Sequence, residues 1–494
     1  MGSGKTTIGR EVAQRLSLPF IDLDREIEKS TGAKIGKIFE EKGEKFFRKI
    51  EREILIKTLK TEGDFVLATG GGAICNEPAL KAVLQNSVPI LLYGDIKTFF
   101  QRVKNGTERP LAKNFSQFQS LCDMRAPFYK RVPIKIHSDR SVESAASEIV
   151  RILRRKEWND VQKIRFETGG LFELKETPKK FLITDKNVNS IYDLRADFRY
   201  IVEFSEESKN INEVIKIYDF LGKFKAERKD KLWGIGGGTT GDIAGFVSAT
   251  YLRGMPLILV PTTLLSQTDS AIGGKNGVNT SFGKNLVGTV KIPDETFIDP
   301  LFIATLPQRE ILSGLGEVFK YALLSENGLF ELLEREEINL TLLIKIIPLC
   351  IEEKLTFVKN DIFDRNGKRV FLNLGHTAGH MCEKALGYGK ITHGEAVAFG
   401  TLVSSMYALR RGMLGKSDFD RIVSLYHKLG FSVSAFSKLK NIENSVLGEI
   451  VLHDKKAKNG LIDFVVPVRY NKSALLHGVS ADEIVKFSKE VLSL

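Results

Sequence analysis

The sequence predicts an α/β protein in three successive parts: a parallel-sheet domain over residues 1–155, a second α/β domain over 165–300, and an α-helical domain over 301–494. Three observations carry that expectation. Apolar strand-like runs alternate with helical stretches as far as about residue 300, the pattern of parallel sheets covered by helices. Glycine-rich turns occur at "GSGKTT", "ATGGGAI" and "WGIGGGTTGD", and open α/β sheets bind ligands where strands give way to helices. After "TFIDPLFIATLP" the texture changes to helix after helix, with Gly turns and few strand runs. A chain of 494 residues is too long for one ordinary core. Residues 156–164, inside the basic stretch "EIVRILRRKEWNDVQKIR", read as a polar linker.

Composition narrows the class. Hydrophobic residues make up 43% and charged residues 27%, as in soluble globular proteins. No run of about 18 apolar residues is present, so no membrane span is expected, and no apolar leader precedes "GSGKTT". Cys75, Cys122, Cys350 and Cys382 are scattered without a C-x-x-C pair, which argues for a reducing cytoplasm rather than a disulfide framework. The net charge of +12 lies mostly in the first 155 residues, and such an excess attracts anions. No arginine-rich stripe interleaved with aromatics occurs, so phosphorylated metabolites are the expected partners rather than nucleic acid.

In the first part, "TTIGREVAQRLS" places Ile8, Val12 and Leu16 on one helical face. The strands "LPFIDLD", "FVLATGGGAI" and "VPILLYGD" follow, each leading into helical sequence. Gly2, Ser3, Gly4, Lys5 and Thr6, with Thr7, form the latter half of the phosphate loop G-x-x-x-x-G-K-[ST]; its first Gly would lie one residue before Met1. Backbone N–H groups at such a helix start attract phosphate. Lys5 adds a point charge, and Thr6 suits Mg²⁺. Asp22 and Asp24 end a strand, where they are able to hold Mg²⁺ and orient a substrate hydroxyl; alternatively Asp24 caps the next helix.

With "TGAKIGKIFEEKGEKFFRKIE", "ATGGGAI", "ERPLAK" and "MRAPFYKR" in order, residues 1–155 resemble shikimate kinase. The resemblance implies that Lys5 and Thr6 bind ATP and Mg²⁺, with Asp22 serving the metal through water. It gives Asp24, Arg48, Gly70, Gly71, Gly72 and Arg125 to shikimate, and Arg109 to a lid over the ATP phosphates. Asp24 then acts as base or orienter for the attacking hydroxyl, and paired arginines suit a carboxylate substrate. The family's first strand is absent from the sequence. The expectation is a start placed too late and a poor kinase until about ten upstream residues, a strand and the half-loop, are restored.

The second part restarts with "KKFLITDKNV", "KLWGIGGGTTGDIAGFVSATYLRG" and "PLILVPTT". The turn Gly236–Gly238 lets a pyrophosphate approach the backbone, as in a Rossmann-like domain. "VPTTLLSQTDSAIGGKNGVNTSFGKNLVG" sets Asp269, Lys275, Lys284 and Asn285 in a Gly-rich loop, ligand types for phosphate and carboxylate. Glu317 and Lys320 in "SGLGEVFKYALL" share a helix face. "RVFLNLGHTAGH" and "ITHGEA" bring Arg369, Asn373, His376, His380 and His393. By spacing alone, His376 and His380 at i and i+4, with a Glu, suit zinc.

Together these blocks resemble 3-dehydroquinate synthase over about residues 165–494. The resemblance assigns the metal, zinc or cobalt, to Glu317, His376 and His393 instead, and turns His380 toward the substrate phosphate. It implies NAD- and metal-dependent conversion of 3-deoxy-D-arabino-heptulosonate 7-phosphate to 3-dehydroquinate and phosphate, with NAD recycled. Lys275, Lys320, Lys354, Arg253, Asp269, Arg369, Asn373, His380 and Lys455 match substrate or catalytic positions. Asp242, Gly237, Gly238, Thr262, Thr263, Asp269, Lys275, Lys284 and Asn285 match cofactor positions. Asp185, Asn187, Glu206 and Lys209 match more loosely, because "FSEESKN" departs from the family's G-E-x-x-K segment. A homodimer through this part is implied, with Arg253 reaching the neighbour's site.

Rival readings are a glycerol-dehydrogenase-like enzyme with net redox chemistry, another sugar-phosphate cyclase, a kinase part that only binds metabolites, and a nucleic-acid binder. "LNLGH" and "HDKKAKNG" keep the synthase-like residues, and the complete set of charged residues in the first part argues against a mere scaffold.

Overall fold

The computed structural model describes residues 2–104, 114–170, 180–203, 205–359, 361–365, 367–387, 389–452, 457–458 and 461–494. Two compact units result: one runs to Arg155 and takes in Thr168, the other comprises Lys156–Glu167 and the chain from Glu173 to Leu494.

In the first unit, α1 (Lys5–Leu16), β1 (Phe20–Asp22), α2 (Leu23–Thr31), α3 (Ile35–Thr58), β2 (Val66–Ala68) and α4 (Glu77–Asn86) are followed by β3 (Ile90–Tyr93), α5 (Ile96–Lys104), α6 (Phe115–Lys130), β4 (Ile134–His137) and α7 (Val142–Leu153). Ile8 and Val12 are buried, as the four-residue spacing requires. β1 pairs in parallel with β2, matching Asp22 to Ala68, and β3 pairs in parallel with β4. The sheet is therefore present as two separate two-stranded pairs, and no described strand joins β2 to β3.

The second unit opens with β5 (Lys156–Trp158) and β6 (Ile164–Phe166). These overturn the expectation of a linker over 156–164. β5 pairs antiparallel with β6, and β6 joins the main sheet with Ile164 and Phe166 buried; the charged edge strand reads as a polar connector because only alternate residues of its partner face the core. Next come β7 (Lys180–Asp185), α8 (Lys186–Ile191), β8 (Phe198–Val202), α9 (Ile211–Lys223), β9 (Lys231–Gly236), α10 (Gly238–Thr250) and β10 (Leu257–Pro261). β11 (Lys275–Thr280), β12 (Gly283–Val290) and β13 (Glu295–Ile298) follow. The seven-stranded sheet has the order β5-β6-β13-β10-β9-β7-β8 and is parallel except at β5. This is the Rossmann-type layer expected for 165–300.

The segment read as a Gly-rich loop is instead an antiparallel hairpin, β11–β12. Gly277 and Gly288 face each other closely, and a Cβ on Gly277 would lie 2.8 Å from Val287 O. Glycines there serve close strand approach, not looping.

The helical part holds α11 (Gln308–Leu324), α12 (Leu329–Arg335), α13 (Leu340–Val358), α14 (His376–Leu386), α15 (His393–Arg410), α16 (Lys416–Lys428), α17 (Asn444–Leu452) and, last, α18 (Ala481–Val491). Before α18 lie β14 (Ala457–Lys458), β15 (Leu461–Arg469) and β16 (Lys472–Ser480), a three-stranded antiparallel sheet. The expectation of an all-helical 301–494 is corrected to that extent: β15 carries a row of buried apolar residues, Phe464, Val465 and Val466, that pack as a strand.

Glycines set the spacing of the helices. A Cβ on Gly394 of α15 would overlap Ser313 O of α11, and one on Gly316 would overlap Gly394 O. A Cβ on Gly400 would overlap Gly375 O, just before α14, while Gly375 itself has φ 79°. Such contacts admit no larger residue without moving backbone.

Gly394→Ala is expected to cost about 1–3 kcal/mol and to lower the melting temperature by several degrees, with less divalent metal retained after gel filtration. An unchanged melting curve would show that the helices yield freely.

Candidate active sites

Each glycine contact places a ligand type beside it: Gly316 precedes Glu317, Gly375 precedes His376, and Gly394 follows His393. Glu317 is 1% exposed. Its Oε1 lies 3.6 Å from His376 Nε2 and 3.3 Å from His393 Nε2, while Lys320 Nζ stands 2.5 Å from Oε2. Both Glu317 oxygens are buried without a hydrogen bond of good geometry. One donor atom from each of Glu317, His376 and His393 lies within 4.8 Å of the others.

The far nitrogens of both rings are also engaged. His376 Nδ1 is 3.2 Å from Leu374 O, and His393 Nδ1 is 3.3 Å from Glu383 Oε2. Burial holds the His376 pKa well below its ordinary value, which keeps the ring neutral. Burial also lowers that of His393, but hydrogen bonds to Glu317 and Glu383 outweigh it and push the value up to about 10. Two carboxylates thus call for positive charge at this point. A divalent cation would supply that charge; the two Nε2 atoms and one Glu317 oxygen are the atoms that would hold it, with Nδ1–H of each ring left for its outer partner. The donor set fits such an ion.

A buried charge network continues from Lys320. Asp269 accepts from Lys354 Nζ at 2.8 Å and from Tyr321 OH, with Lys320 Nζ 3.8 Å away. Burial opposes ionisation of Asp269, but Lys354 and then Lys320 hold its carboxyl well below the usual range. Arg369, also buried, donates to Ile362 O at 2.8 Å and Gly273 O at 3.3 Å. Asn373 ends the turn that leads into α14. His380, one turn beyond His376, has its ring centroid 6.1 Å from that of His393. Lys275 reaches Asp364 at 2.5 Å.

Of the residues expected on the cofactor side, Gly237, Gly238, Asp242 and Lys275 line a cleft at the β9–α10 turn, whereas Lys284 stands beside Glu383. Gly237 starts α10 with no side-chain cap, leaving its first N–H groups to a phosphate. The cleft is narrow, and Ser266 also lines it. Asp185 ends β7 and caps α8, the helix that carries Asn187, and its Oδ2 would lie 2.9 Å from a Cβ on Gly236. Buried Lys209 pairs with Asp242, and Glu206 accepts from Asn279 at 2.8 Å and Thr239 at 3.5 Å. The divergent "FSEESKN" segment is therefore still anchored on α10 and β11. Thr262 N–H donates to Gly236 O at 2.9 Å, and Thr263 shares a hydroxyl hydrogen bond with Ser266 at 2.8 Å. Asn285, at φ 53°, donates its N–H to Asn279. Arg253, at φ 61°, is exposed outside this network. Lys455 and Arg109 lie outside the described residues.

In the first unit Gly4, at φ 81°, starts α1 without a side-chain cap, and Ser3 is buried beside it. Lys5 Nζ donates to Ser3 Oγ at 3.4 Å, and Thr6 Oγ1 donates to Asp22 Oδ2 at 3.1 Å. Asp22, not Asp24, caps α2. A Cβ on Gly70 would lie 2.8 Å from Glu51 Oε1 and 3.1 Å from Asp24 Oδ1, and one on Gly72 would overlap the Arg48 guanidinium. Arg125 is buried, and Tyr129 OH donates to Gly71 O. Asp24, Arg48 and Gly70–Gly72 therefore share one pocket wall.

Sequence reasoning passed over Glu51, Tyr321 and Glu383. Glu51 is 2.6 Å from Arg48 NH1, and Glu383 is 3.2 Å from Lys284 Nζ. Both signals were present as helical spacing, i+3 from Arg48 and i+7 from His376.

Family models match the chain in order: shikimate kinase over residues 1–154, 3-dehydroquinate synthase N-terminal over 199–313 and C-terminal over 314–457. A 3-dehydroquinate synthase of Streptococcus pneumoniae is 39% identical over 328 residues, 64% of this chain and 91% of that one. Among solved structures, 2-epi-5-epi-valiolone synthase of Streptomyces hygroscopicus, with NAD⁺ and Zn²⁺ bound, aligns at TM-score 0.60 and 23% identity, over 68% of this chain and 98% of that one. A 2-deoxy-scyllo-inosose synthase complexed with carbaglucose-6-phosphate, NAD⁺ and Co²⁺ aligns at 0.59 and 25%, over 68% and 99%. The bifunctional shikimate kinase/3-dehydroquinate synthase of Thermotoga maritima is 32% identical over 469 residues, 93% of this chain and 92% of that one. A likeness that runs through both units in the same order means that this chain belongs to the family of bifunctional shikimate kinase/3-dehydroquinate synthases.

Proposed function

We propose that the second unit closes the carbocycle of 3-dehydroquinate from 3-deoxy-D-arabino-heptulosonate 7-phosphate with loss of phosphate, and that the first unit phosphorylates shikimate from ATP. The observation that carries the synthase reading is the buried Glu317 carboxylate facing two imidazole Nε2 atoms, joined through Lys320 to Asp269, whose neighbour Ser270 lines the cleft at the Gly-rich turn. When bound, NAD supplies a reversible hydride acceptor, and zinc or cobalt supplies Lewis-acid polarisation of the substrate oxygens.

The chain's own residues do the rest. Lys354, Lys320 and Arg369 line a buried cationic wall suited to the substrate's carboxylate and hydroxyls. Lys275, Asn373, His380 and, beyond the described residues, Lys455 are assigned to the phosphate end and its departure. Exclusion of water around buried Lys320, Lys354 and Arg369 strengthens their contacts. Gly237 and Gly238 receive the cofactor pyrophosphate, with Lys284, Asp242 and Glu206 on its flanks.

In the kinase, Lys5 and the start of α1 hold the ATP phosphates, and Thr6 with Asp22 holds Mg²⁺. Arg48 and Arg125 take the shikimate carboxylate, and Asp24 orients the attacking hydroxyl. Arg109 is assigned to the lid.

We extend the reading to a cytoplasmic homodimer. All four cysteines are free, and no described helix is long and apolar enough to cross a membrane. Phe282, Leu286 and Val287 on the hairpin are exposed, an apolar surface that suits a second copy.

Phosphate release from the heptulosonate phosphate, without accumulating NADH, is the expected synthase signature. Glu317→Gln should reduce it by more than the roughly 10–100-fold that even outer partners of a metal carry. Net NADH production would favour a dehydrogenase. For the kinase, Asp24→Asn should slow shikimate-dependent ATP consumption by about 100–10,000-fold; an unchanged rate removes Asp24 from the chemistry. Light scattering should report two chains per particle, and a single-chain mass would end the dimer assignment.

A further inference from the structure

We infer that Glu383 is a positioning residue of the metal centre: it fixes the His393 ring through Nδ1 so that Nε2 faces the ion, while Lys284 holds the other carboxylate oxygen. This rests on the reading of Glu317, His376 and His393 as ligands of a divalent cation.

The two imidazoles are oriented by different means. His376 leads α14 straight out of a tight turn, and the carbonyl of Leu374 within that turn stands 3.2 Å from its Nδ1. His393 is the first residue of α15, after the capping residue Thr392. Its Nδ1 instead meets a side chain from another helix, Glu383 Oε2 at 3.3 Å, while its Nε2 points to Glu317 Oε1 at 3.3 Å. The ring is thus strung between two carboxylates through opposite nitrogens. That is the order carboxylate, imidazole, metal, in which the outer carboxylate selects the tautomer and strengthens the donor nitrogen.

Glu383 is 5% exposed, and a buried carboxylate is retained only where both oxygens are served. Oε1 is served by Lys284 Nζ at 3.2 Å. Lys284 belongs to β12, whose partner strand carries Lys275 into the dinucleotide cleft. One carboxylate therefore ties the hairpin of the cofactor side to a ligand of the metal. A different role is open to the same atoms, because His380, Glu383 and His393 also offer donor atoms within 4.8 Å of one another. The atom that faces that second group is Nδ1, and a neutral imidazole that gives Nε2 to one cation keeps its proton on Nδ1, which then donates to Glu383; this favours positioning over ligation.

The test measures Zn²⁺ and Co²⁺ affinity of the full chain by competition with a chromophoric chelator, together with the Co²⁺ absorption spectrum. Wild type, Glu383→Gln and Glu383→Asp are compared. Glu383→Gln is close to isosteric, and the metal-free melting curve and circular dichroism verify that it folds. The expected result is one ion per chain, affinity weakened by about 10–100-fold in Glu383→Gln, a shifted Co²⁺ band, and partial recovery in Glu383→Asp. Unchanged affinity and spectrum would reduce Glu383 to an ion-pair partner of Lys284 and overturn the inference. A second bound ion lost in Glu383→Gln would overturn it by making Glu383 a ligand. Glu317→Gln is the separate control: if it binds the ion as tightly as wild type, the three-ligand centre itself falls, and the inference with it.

Discussion

The metal-competent centre depends on main-chain contact between helices. Three ligands on three helices converge only if α11, α14 and α15 approach more closely than side chains permit. Gly316 against Gly394, and Gly375 against Gly400, remove the Cβ atoms that would hold them apart. Because Glu317, His376 and His393, the proposed ligands, are each the chain neighbour of one of these glycines, the separation of the helices becomes the separation of their donor atoms. Interior packing is stiff, so the geometry of the proposed ligands is set before any ion arrives, with the buried Glu317 carboxylate held by Lys320 at Oε2. An ion bound there would add to the stability of the folded chain.

The charge network around the centre obeys the same constraint. Desolvating an ion costs several kcal/mol, yet Glu317, Lys320, Lys354 and Arg369 are all buried. The arrangement survives because the charges alternate: Glu317 with Lys320, and Asp269 with Lys320 and Lys354, with Tyr321 donating a further hydrogen bond to Asp269. Alternation also explains why a site for an anionic substrate contains acids at all. Burial lowers the pKa of Lys354, and Asp269 works against that loss of charge.

Much of this was legible in the sequence, and the failures have physical causes. Alternating strands and helices gave away the parallel sheet, and Thr6 at the start of α1 meets Asp22 at the end of β1. Helical spacing pointed to His376 and His380 as a metal pair, because spacing sees only one helix. His393 comes from the next helix and reaches Glu317 across the Gly316–Gly394 contact, which has no local signature. The β5–β6 hairpin looked like a linker since its outer strand is charged, and β11–β12 looked like a loop since its facing glycines do the work of close pairing. Glu51 and Glu383 share helical spacing with Arg48 and His376, but spacing alone does not tell a buried carboxylate from an exposed one until a cation is found beside it.

That last point joins the two units. In each, a cation assigned to an anionic ligand is already paired with an acid: Arg48 with Glu51, Lys284 with Glu383, Lys354 with Asp269, Lys209 with Asp242. An arriving carboxylate or phosphate therefore does not meet a bare charge. It competes with, or adds to, an existing pair, and the free energy of binding is the difference between two sets of contacts. The pairing fixes each guanidinium or ammonium in place, so less side-chain entropy is lost on binding. It also penalises a ligand whose charge is misplaced, because such a ligand would strand the acid without its partner. If these cations take the assigned anions, selectivity among small anions would come from the acids of these sites as much as from their bases.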